Sequence, residues 1–327
     1  MGFFRKSTNI LKMNKLSFGK WFCKKRNCAE SSSVTTFYNI RRIRKMAGLS
    51  LEIPNNSKWV TNKVISHLDK LKSVPQKNLS ASLVAYLKAS DASDKVITLA
   101  TKKMNSSAKS VKKQYSSQNK TERQKVNWVN LGQIKEFWKE KNKEVSAKKL
   151  YSKADWTPAQ RRLAEQSLML ALHGGSGHPP PRLEFSELVY TTKNEFPENK
   201  NYLYQSKRGI WRTRVKKSKV TSKKGIIDIK LNSPVARILN RMKKFLSPGR
   251  PVFQNKKGGP LSKSAYSKRL RALFAERFPK KRIGAGLIRT IFLSDMYKGM
   301  PQLKIQEQTA KKMFHNKETA MSKYVKK

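Results

Sequence analysis

The sequence has few of the residues that metal and redox chemistry need. It contains two cysteines, Cys23 and Cys28, four histidines and 20 acidic residues among 327. Two cysteines exclude a disulfide framework and favour a reducing compartment. A single Cys-x4-Cys pair cannot complete a tetrahedral zinc site, so we expect free thiols. Because so few carboxylates are present to hold Mg²⁺, we expect no metal and no small-molecule cofactor.

Patterns that mark several other protein classes are also missing. The chain has no Walker phosphate loop, no GxGxxG and no HExxH, so nucleotide-driven and zinc-protease chemistry is not indicated. No window contains 18 consecutive apolar residues. We therefore expect an intracellular protein with no secretion signal and no membrane span.

Positive charge dominates what is present. The chain has 73 lysines and arginines against 20 acids, a net charge of +53. Such a charge repels itself unless a polyanion neutralises it, which makes nucleic acid the expected partner. With six Trp, 14 Phe and 10 Tyr, the chain is too aromatic for a disordered polycation. We expect one or two packed domains.

The hydrophobic pattern divides the chain into three regions. Residues 1–50 contain twelve basic residues and one acid with poor periodicity, which predicts a flexible basic arm; a transit peptide is the alternative. Residues 51–120 show short helical repeats and predict a small helical DNA-binding domain. One helix there carries lysines that we expect to contact phosphates, with a merely solvated face as the alternative. These lysines are Lys102, Lys103, Lys109, Lys112 and Lys113.

Residues 121–327 mix extended and helical patterns. Thr157-Pro158 predicts the start of a helix that ends at Gly174. Apolar alternation predicts strands, and helical repeats dominate the remainder. The fold class expected is α+β, a mostly helical domain with a small antiparallel sheet. The predicted strands are 202–205, 210–215 and 225–231, and the later helices are 262–277, 285–297, 301–313 and 316–324.

A set of cations and one tyrosine near the C-terminus suits phosphodiester chemistry. A protein that cleaves phosphodiesters without a metal must stabilise the developing charge with its own cations and needs a nucleophile. His315 is followed nine residues later by Tyr324. Arg289 lies inside an apolar helix, and Arg182 follows three prolines. Between the two arginines, a basic hairpin tip over 216–225 joins two predicted strands.

The order Arg…Lys…Arg…His…Tyr, with nine residues from His to Tyr, resembles the tyrosine recombinase (integrase) family. The resemblance covers about residues 127–327 and is closest to the integrases of virophages and related viral mobile elements. It implies a site-specific recombinase that cuts and rejoins DNA through a 3′-phosphotyrosyl intermediate, without metal or ATP. The implied partner is double-stranded DNA, with four protomers on two DNA sites, in a host nucleus or viral replication site.

The resemblance also implies roles for five residues. Tyr324 is the implied nucleophile, Arg182 and Arg289 bind the non-bridging oxygens, and His315 adds a further donor. Lys219 protonates the 5′-oxygen leaving group. Three neighbouring lysines compete with Lys219 for that role, and the first two are also expected to contact DNA. They are Lys216, Lys217 and Lys223.

The sequence departs from the family pattern at two positions. Gly286 stands where relatives carry His or Lys three residues before the second arginine, and Phe314 stands where Gly commonly precedes the histidine. Taken singly, Arg289 also suits a buried ion pair, His315 a helix cap and Tyr324 ordinary packing. The alternative function is a non-catalytic polycationic DNA-binding or packaging protein. A structural protein of a ribonucleoprotein explains the charge but not these residues.

Overall fold

The structure is a computed structural model that describes residues 12–192, 196–197, 200–218, 221, 225–298 and 303–326. It divides into two compact units between Ser117 and Gln118, where the sequence analysis placed a boundary at 120. Helices predominate and one four-stranded sheet accompanies them, so the expected mixture of helix and strand is confirmed. No helix in the described ranges is long and apolar enough to cross a membrane.

The described part of the first unit consists of helices around one apolar core, with a two-residue antiparallel strand pair at its edge. The longest helix, α5, carries the predicted lysine face and turns Ala100 and Val111 inward. The elements are β1 (Lys12–Met13), α1 (Lys15–Arg26), α2 (Glu30–Met46), β2 (Ile53–Pro54), α3 (Asn62–Ser66), α4 (Ser73–Ala89) and α5 (Asp94–Ser116).

The prediction of a flexible arm over residues 1–50 is wrong for residues 15–26 and 30–46, which form α1 and α2. Phe18 of α1 and Ile40 of α2 are fully buried in the core of the first unit. The Phe18 ring centroid lies 5.3 Å from that of Phe22 and 5.4 Å from that of Phe37. Buried aromatic side chains contribute large apolar areas, and these few anchors offset the unfavourable lysine-rich pattern around them. Residues 1–11 lie outside the described residues.

The second unit combines helices with the sheet, around a core separate from that of the first unit. Its first helices, α6 (Glu122–Asn127), α7 (Leu131–Ala147) and α8 (Pro158–Leu170), each begin with a capping box, in which the cap side chain and the third helical residue satisfy each other's backbone N–H. The later elements are β3 (Leu188–Thr191), β4 (Asn201–Gln205), β5 (Trp211–Val215), β6 (Ile227–Lys230), α9 (Ser233–Met242), α10 (Lys263–Arg277), α11 (Ala285–Met296), α12 (Leu303–Lys312) and α13 (Lys317–Thr319).

The sheet has the order β3-β4-β5-β6 and is mixed, so the expected antiparallel sheet is wrong in one of its pairs. β4 pairs antiparallel with β5 and β5 with β6, whereas β3 runs parallel to β4, with Leu188 opposite Asn201. Alternation along one strand shows which side chains face the core, but it does not specify the neighbour's direction. The strand β3 itself was not among the strands predicted from the sequence.

Helix α8 ends as predicted near Gly174, but through a π-helical turn over Ala171–Gly175. Gly175 is required there by close packing. A Cβ on this residue would lie 2.5 Å from Cβ of Trp138 and 2.8 Å from the Leu170 carbonyl oxygen. The turn redirects the chain toward the three prolines and Arg182.

Candidate active site

The structure brings together four of the five residues that the sequence analysis singled out. Arg182 precedes a 3-10 turn over Glu184–Glu187, Arg289 lies mid-way along α11, His315 follows α12, and Tyr324 ends a π-helical turn. The Arg182 Nη2 atom lies 3.3 Å from His315 Nδ1, and Arg289 Nη2 contacts His315 Nε2. The Arg289 guanidinium carbon lies 4.9 Å from the centre of the Tyr324 ring.

Arg289 is a buried cation with an incomplete set of partners. Only 4% of the residue is exposed, and its Nη2 donates to the Met313 carbonyl at 2.9 Å. Its Nε–H has no hydrogen-bond partner in the described part of the chain. Burial and, to a lesser extent, the nearby Arg182 charge together lower the pKa of Arg289 to about 10, although Tyr324 opposes this shift. Keeping the buried Arg289 charged therefore costs the folded protein free energy.

The turn after α12 positions His315. The His315 amide donates to the Ala310 carbonyl at 2.8 Å, and the Phe314 amide donates to the Lys311 carbonyl at 3.0 Å, which together form a Schellman motif. Phe314 occupies the left-handed position of this motif with φ of +58° and is fully buried. A glycine at this position would avoid that strain. In this chain the buried Phe314 ring offsets it.

Tyr324 is held against the same helix that carries Arg289. Its ring centroid lies 4.7 Å from that of His315 at an interplanar angle of 33°, and 9% of the residue is exposed. Ser294 of α11 donates through Oγ to the Tyr324 carbonyl at 3.3 Å and accepts from the Lys326 amide at 2.8 Å. Sequence reasoning missed Ser294, because a serine five residues after an arginine carries no signal of its own.

The contacts around His315 contain more donors than acceptors. A neutral imidazole has one N–H donor and one acceptor nitrogen. Both nitrogens of His315 face guanidinium N–H groups, so the lone pair can satisfy one of them at most. The unpartnered Nε–H of Arg289 adds another donor. An oxyanion placed among these residues would supply the missing acceptors.

A buried carboxyl group adjoins the two arginines and was also missed. Glu184 is 5% exposed, and its Oε2 has no hydrogen-bond partner among the described residues. Burial raises the pKa of Glu184, while the charges of Arg182 and Arg289 oppose the rise. Its two-residue spacing from Arg182 was visible in the sequence, but only the fold shows that the carboxyl group is buried.

Gly286, where the recombinase resemblance predicts His or Lys, lies on the exposed side of α11. A Cβ added to Gly286 would meet nothing within 4 Å. The space beside Gly286 is therefore open, and it can accept a side chain without displacing its neighbours.

The hairpin lysines are placed only in part. Lys219, the predicted proton donor, and its competitor Lys223 lie outside the described residues. Lys216 is half-buried, and its ammonium group donates to the Phe196 carbonyl. Lys217 is exposed. Of these two predicted DNA contacts, Lys217 thus presents the more accessible charge.

The lysine face of α5 belongs to the first unit and is mostly exposed. One of its five lysines, Lys103, is half-buried and forms an ion pair with Asp69. Its charge is therefore partly neutralised, which weakens the prediction that it contacts phosphate. The exposed members are Lys102, Lys109, Lys112 and Lys113.

An open cleft of about 530 Å³ lies beside His315. It is lined by residues of α12 and α13, by the turn between these helices, and by Ile226 and Ile227 where β6 begins, and its charges are mixed. Lys311 and Lys317 contribute positive charge, and Glu307 and Glu318 contribute negative charge. The cleft gives His315 a route to solvent.

Two further histidines of this unit lie in its interior. His173 and His178 are fully buried, and His173 Nε2 lies 3.2 Å from the Tyr266 hydroxyl. Burial lowers the pKa of His178 to about 4 and that of His173 to about 3. Within the described ranges, no group of three or more His, Cys, Asp and Glu residues is arranged to hold a metal ion.

The chain matches no protein-family model, and it has no match among curated proteins.

Proposed function

We propose that the protein is a site-specific DNA strand-exchange enzyme that uses Tyr324 as its nucleophile. The observation that carries this proposal is the surplus of N–H donors around His315. Two guanidinium groups and an imidazole meet in a buried site, and one guanidinium N–H lacks an acceptor among the described residues. A phosphodiester supplies two non-bridging oxygens with several lone pairs, which fits this surplus.

In the proposed reaction the Tyr324 oxygen forms a bond to phosphorus as the bond from phosphorus to the 5′-oxygen breaks. The phenolic proton passes to solvent water, and the departing 5′-oxygen gains a proton from a general acid, the role proposed for Lys219. Arg182 and Arg289 donate to the non-bridging oxygens, on which negative charge grows in the transition state. Donors already fixed in a buried site stabilise that charge without reorganising, which is why the burial of Arg289 suits the role.

The covalent link conserves the phosphodiester bond energy, so the reverse attack by a 5′-hydroxyl needs no nucleotide. The proposed partner is double-stranded DNA, with four copies of the chain on two DNA sites in a DNA-associated compartment. Exposed lysines of α5 and Lys217 supply further positive charge for the duplex.

A nicked synthetic duplex tests the nucleophile, because the strand released beyond the nick cannot religate and the adduct accumulates. Wild type should give an adduct that survives SDS. Tyr324→Phe should give none while binding DNA as wild type does. Tyr297→Phe is the matched control, since Tyr297 is also buried in this unit and its hydroxyl donates to the Gln306 carbonyl at 3.4 Å. Adduct at normal yield in Tyr324→Phe would remove Tyr324 from the mechanism.

The second candidate, a non-catalytic polycationic DNA-binding protein, is favoured by the charge of +53 alone. It predicts tight, salt-sensitive DNA binding by wild type with no covalent adduct on any nicked duplex. The same assay therefore separates the two functions.

A further inference from the structure

We propose that a second phosphate-binding site lies in the same unit, in a basic pocket formed by α6, α10 and the segment that leads into α11. In naming DNA as the ligand, this inference rests on the proposed function. The pocket has a volume of about 620 Å³. Five cationic side chains line it, and no Asp or Glu does. They are Arg123, Lys268, Arg271, Lys281 and Arg282.

The charges of this basic pocket are not neutralised by the protein. None of its five cations forms an ion pair with a carboxylate in the described residues. The acids nearest in sequence are paired elsewhere: Glu122 with Lys125 at 2.8 Å and Glu276 with Lys141 at 2.9 Å. Like charges gathered in a concave surface raise the local potential and attract an anion.

The framework of the pocket is fixed by hydrogen bonds between its walls. The Lys281 ammonium group donates to the carbonyls of Val126 at 3.1 Å and Trp128 at 2.9 Å. The Arg282 amide donates to the Asn127 side-chain oxygen at 2.5 Å. These bonds join the segment before α11 to α6 and use Lys281 in part. The residues Arg123, Lys268 and Arg271 are exposed to solvent.

The pocket is distinct from the candidate active site, although α11 contributes to both. Leu287 lines the pocket and lies two residues before Arg289. At roughly 100° per residue the two side chains point about 200° apart around the helix, with a rise of about 3 Å. One phosphate cannot reach both, so the pocket would contact other phosphates of the DNA, about one for each of Arg123, Lys268 and Arg271. The first N–H groups of α11 add favourable dipoles, since Gly284 provides no side-chain cap.

A triple variant tests this assignment. Arg123→Gln/Lys268→Gln/Arg271→Gln removes three positive charges from exposed positions of the pocket. The matched control removes three exposed lysines from α7, where acidic residues alternate with them: K135Q, K139Q and K143Q. The dissociation constant for a duplex is measured at several salt concentrations, together with the adduct yield at saturating DNA. A charge-retaining variant, R123K/R271K, controls for changes in shape.

We expect the pocket variant to reduce the slope of log affinity against log salt by about 2–3, at roughly 0.9 for each phosphate that the protein no longer neutralises. The control should change the slope by less than about 1, and R123K/R271K should retain it. Adduct yield at saturating DNA should remain that of wild type. Equal slopes for the pocket variant and the control would overturn the inference.

Two further outcomes separate the possible sources of phosphate and the two proposals. If wild type binds inorganic phosphate at this pocket in ³¹P NMR titrations while the DNA slopes of variant and control are equal, the pocket takes small anions and the DNA assignment is wrong. If wild type forms no adduct but the pocket variant has the reduced slope, the proposed enzyme function fails and the second phosphate site stands.

Discussion

Replacing Arg289 with methionine should show whether its positive charge serves the reaction or stabilises the fold. Methionine has a similar length and no charge, so it fills the same buried space in α11 without a group to desolvate. Burial lowers the pKa of Arg289 from 12.5 to about 10. At about 1.4 kcal/mol per unit, keeping this residue charged costs the folded state roughly 3 kcal/mol near neutral pH.

The variant also removes a hydrogen bond. The Met313 carbonyl would lose its donor from Arg289, at a cost of about 1–3 kcal/mol. The two effects together predict a free energy of unfolding equal to that of wild type or up to about 2 kcal/mol higher. Adduct formation should nevertheless fall by a factor of at least about 10²–10³, the usual effect of removing one donor from a charge-stabilising site.

Denaturant unfolding and the nicked-duplex assay measure the two quantities on the same protein. The matched control is Arg269→Met, because Arg269 pairs at 2.5 Å with Glu165, whose side chain is 2% exposed. Removing that partner leaves a buried carboxylate unpaired and should destabilise the fold by about 3–5 kcal/mol. If Arg289→Met were destabilised as strongly as Arg269→Met, Arg289 would be a structural ion-pair residue and its proposed role would be refuted.

Three smaller predictions concern neighbouring residues. The pKa of His178 is about 4 in the folded protein, so as pH falls the histidine takes up a proton in the unfolded chain before it does so in the folded one. In unfolding titrations, the free energy by which wild type is more stable than His178→Asn should therefore shrink by about 1.4 kcal/mol from about pH 7.5 to about pH 5.5. A difference that stays constant over this range would contradict the lowered pKa. Ser294→Ala removes the hydrogen bond to the Tyr324 carbonyl and the one from the Lys326 amide. It should cost about 1–2 kcal/mol in unfolding experiments and lower the adduct rate, whereas an unchanged rate would show that these bonds are dispensable for the reaction. The lysine side chain of Gly286→Lys would extend into open space, so the melting temperature should stay nearly unchanged. The adduct rate should rise if the absence of a cation at this position limits the reaction. A lower adduct rate would show that the position must stay empty.

The sequence predicted the candidate site better than it predicted the first fifty residues. Arg289, His315 and Tyr324 stand out because their order and spacing are local features of the chain. The helices over residues 15–46 were missed, since lysines interrupt the apolar repeat and only a few buried aromatic and aliphatic side chains hold α1 and α2 in place. A few large side chains can therefore fix a helix that periodicity does not indicate.

What the sequence could not predict depends on tertiary contacts. The parallel pairing of β3 with β4 depends on a non-local partner. Ser294 and Glu184 are common residue types whose importance comes from what the fold places beside them. Phe314 was visible as a departure from the usual glycine, but only the backbone shows that a buried phenylalanine adopts the left-handed conformation that places His315.

The hydrogen bond from Ser294 to the Tyr324 main chain bears on which protomer supplies the tyrosine for each cleavage. Ser294 and Arg289 belong to one helix, and both contact Tyr324 of their own chain. If the proposed reaction holds, each protomer cleaves DNA with the tyrosine of its own chain, and this tyrosine does not act in the active site of a neighbouring protomer. A mixture of Arg289→Ala and Tyr324→Phe proteins, each inactive alone, would then fail to complement, because neither chain unites an intact phosphate-binding arginine with an intact nucleophile. Each protomer would cleave one strand with residues of its own chain, and assembly would be needed only for the exchange between strands.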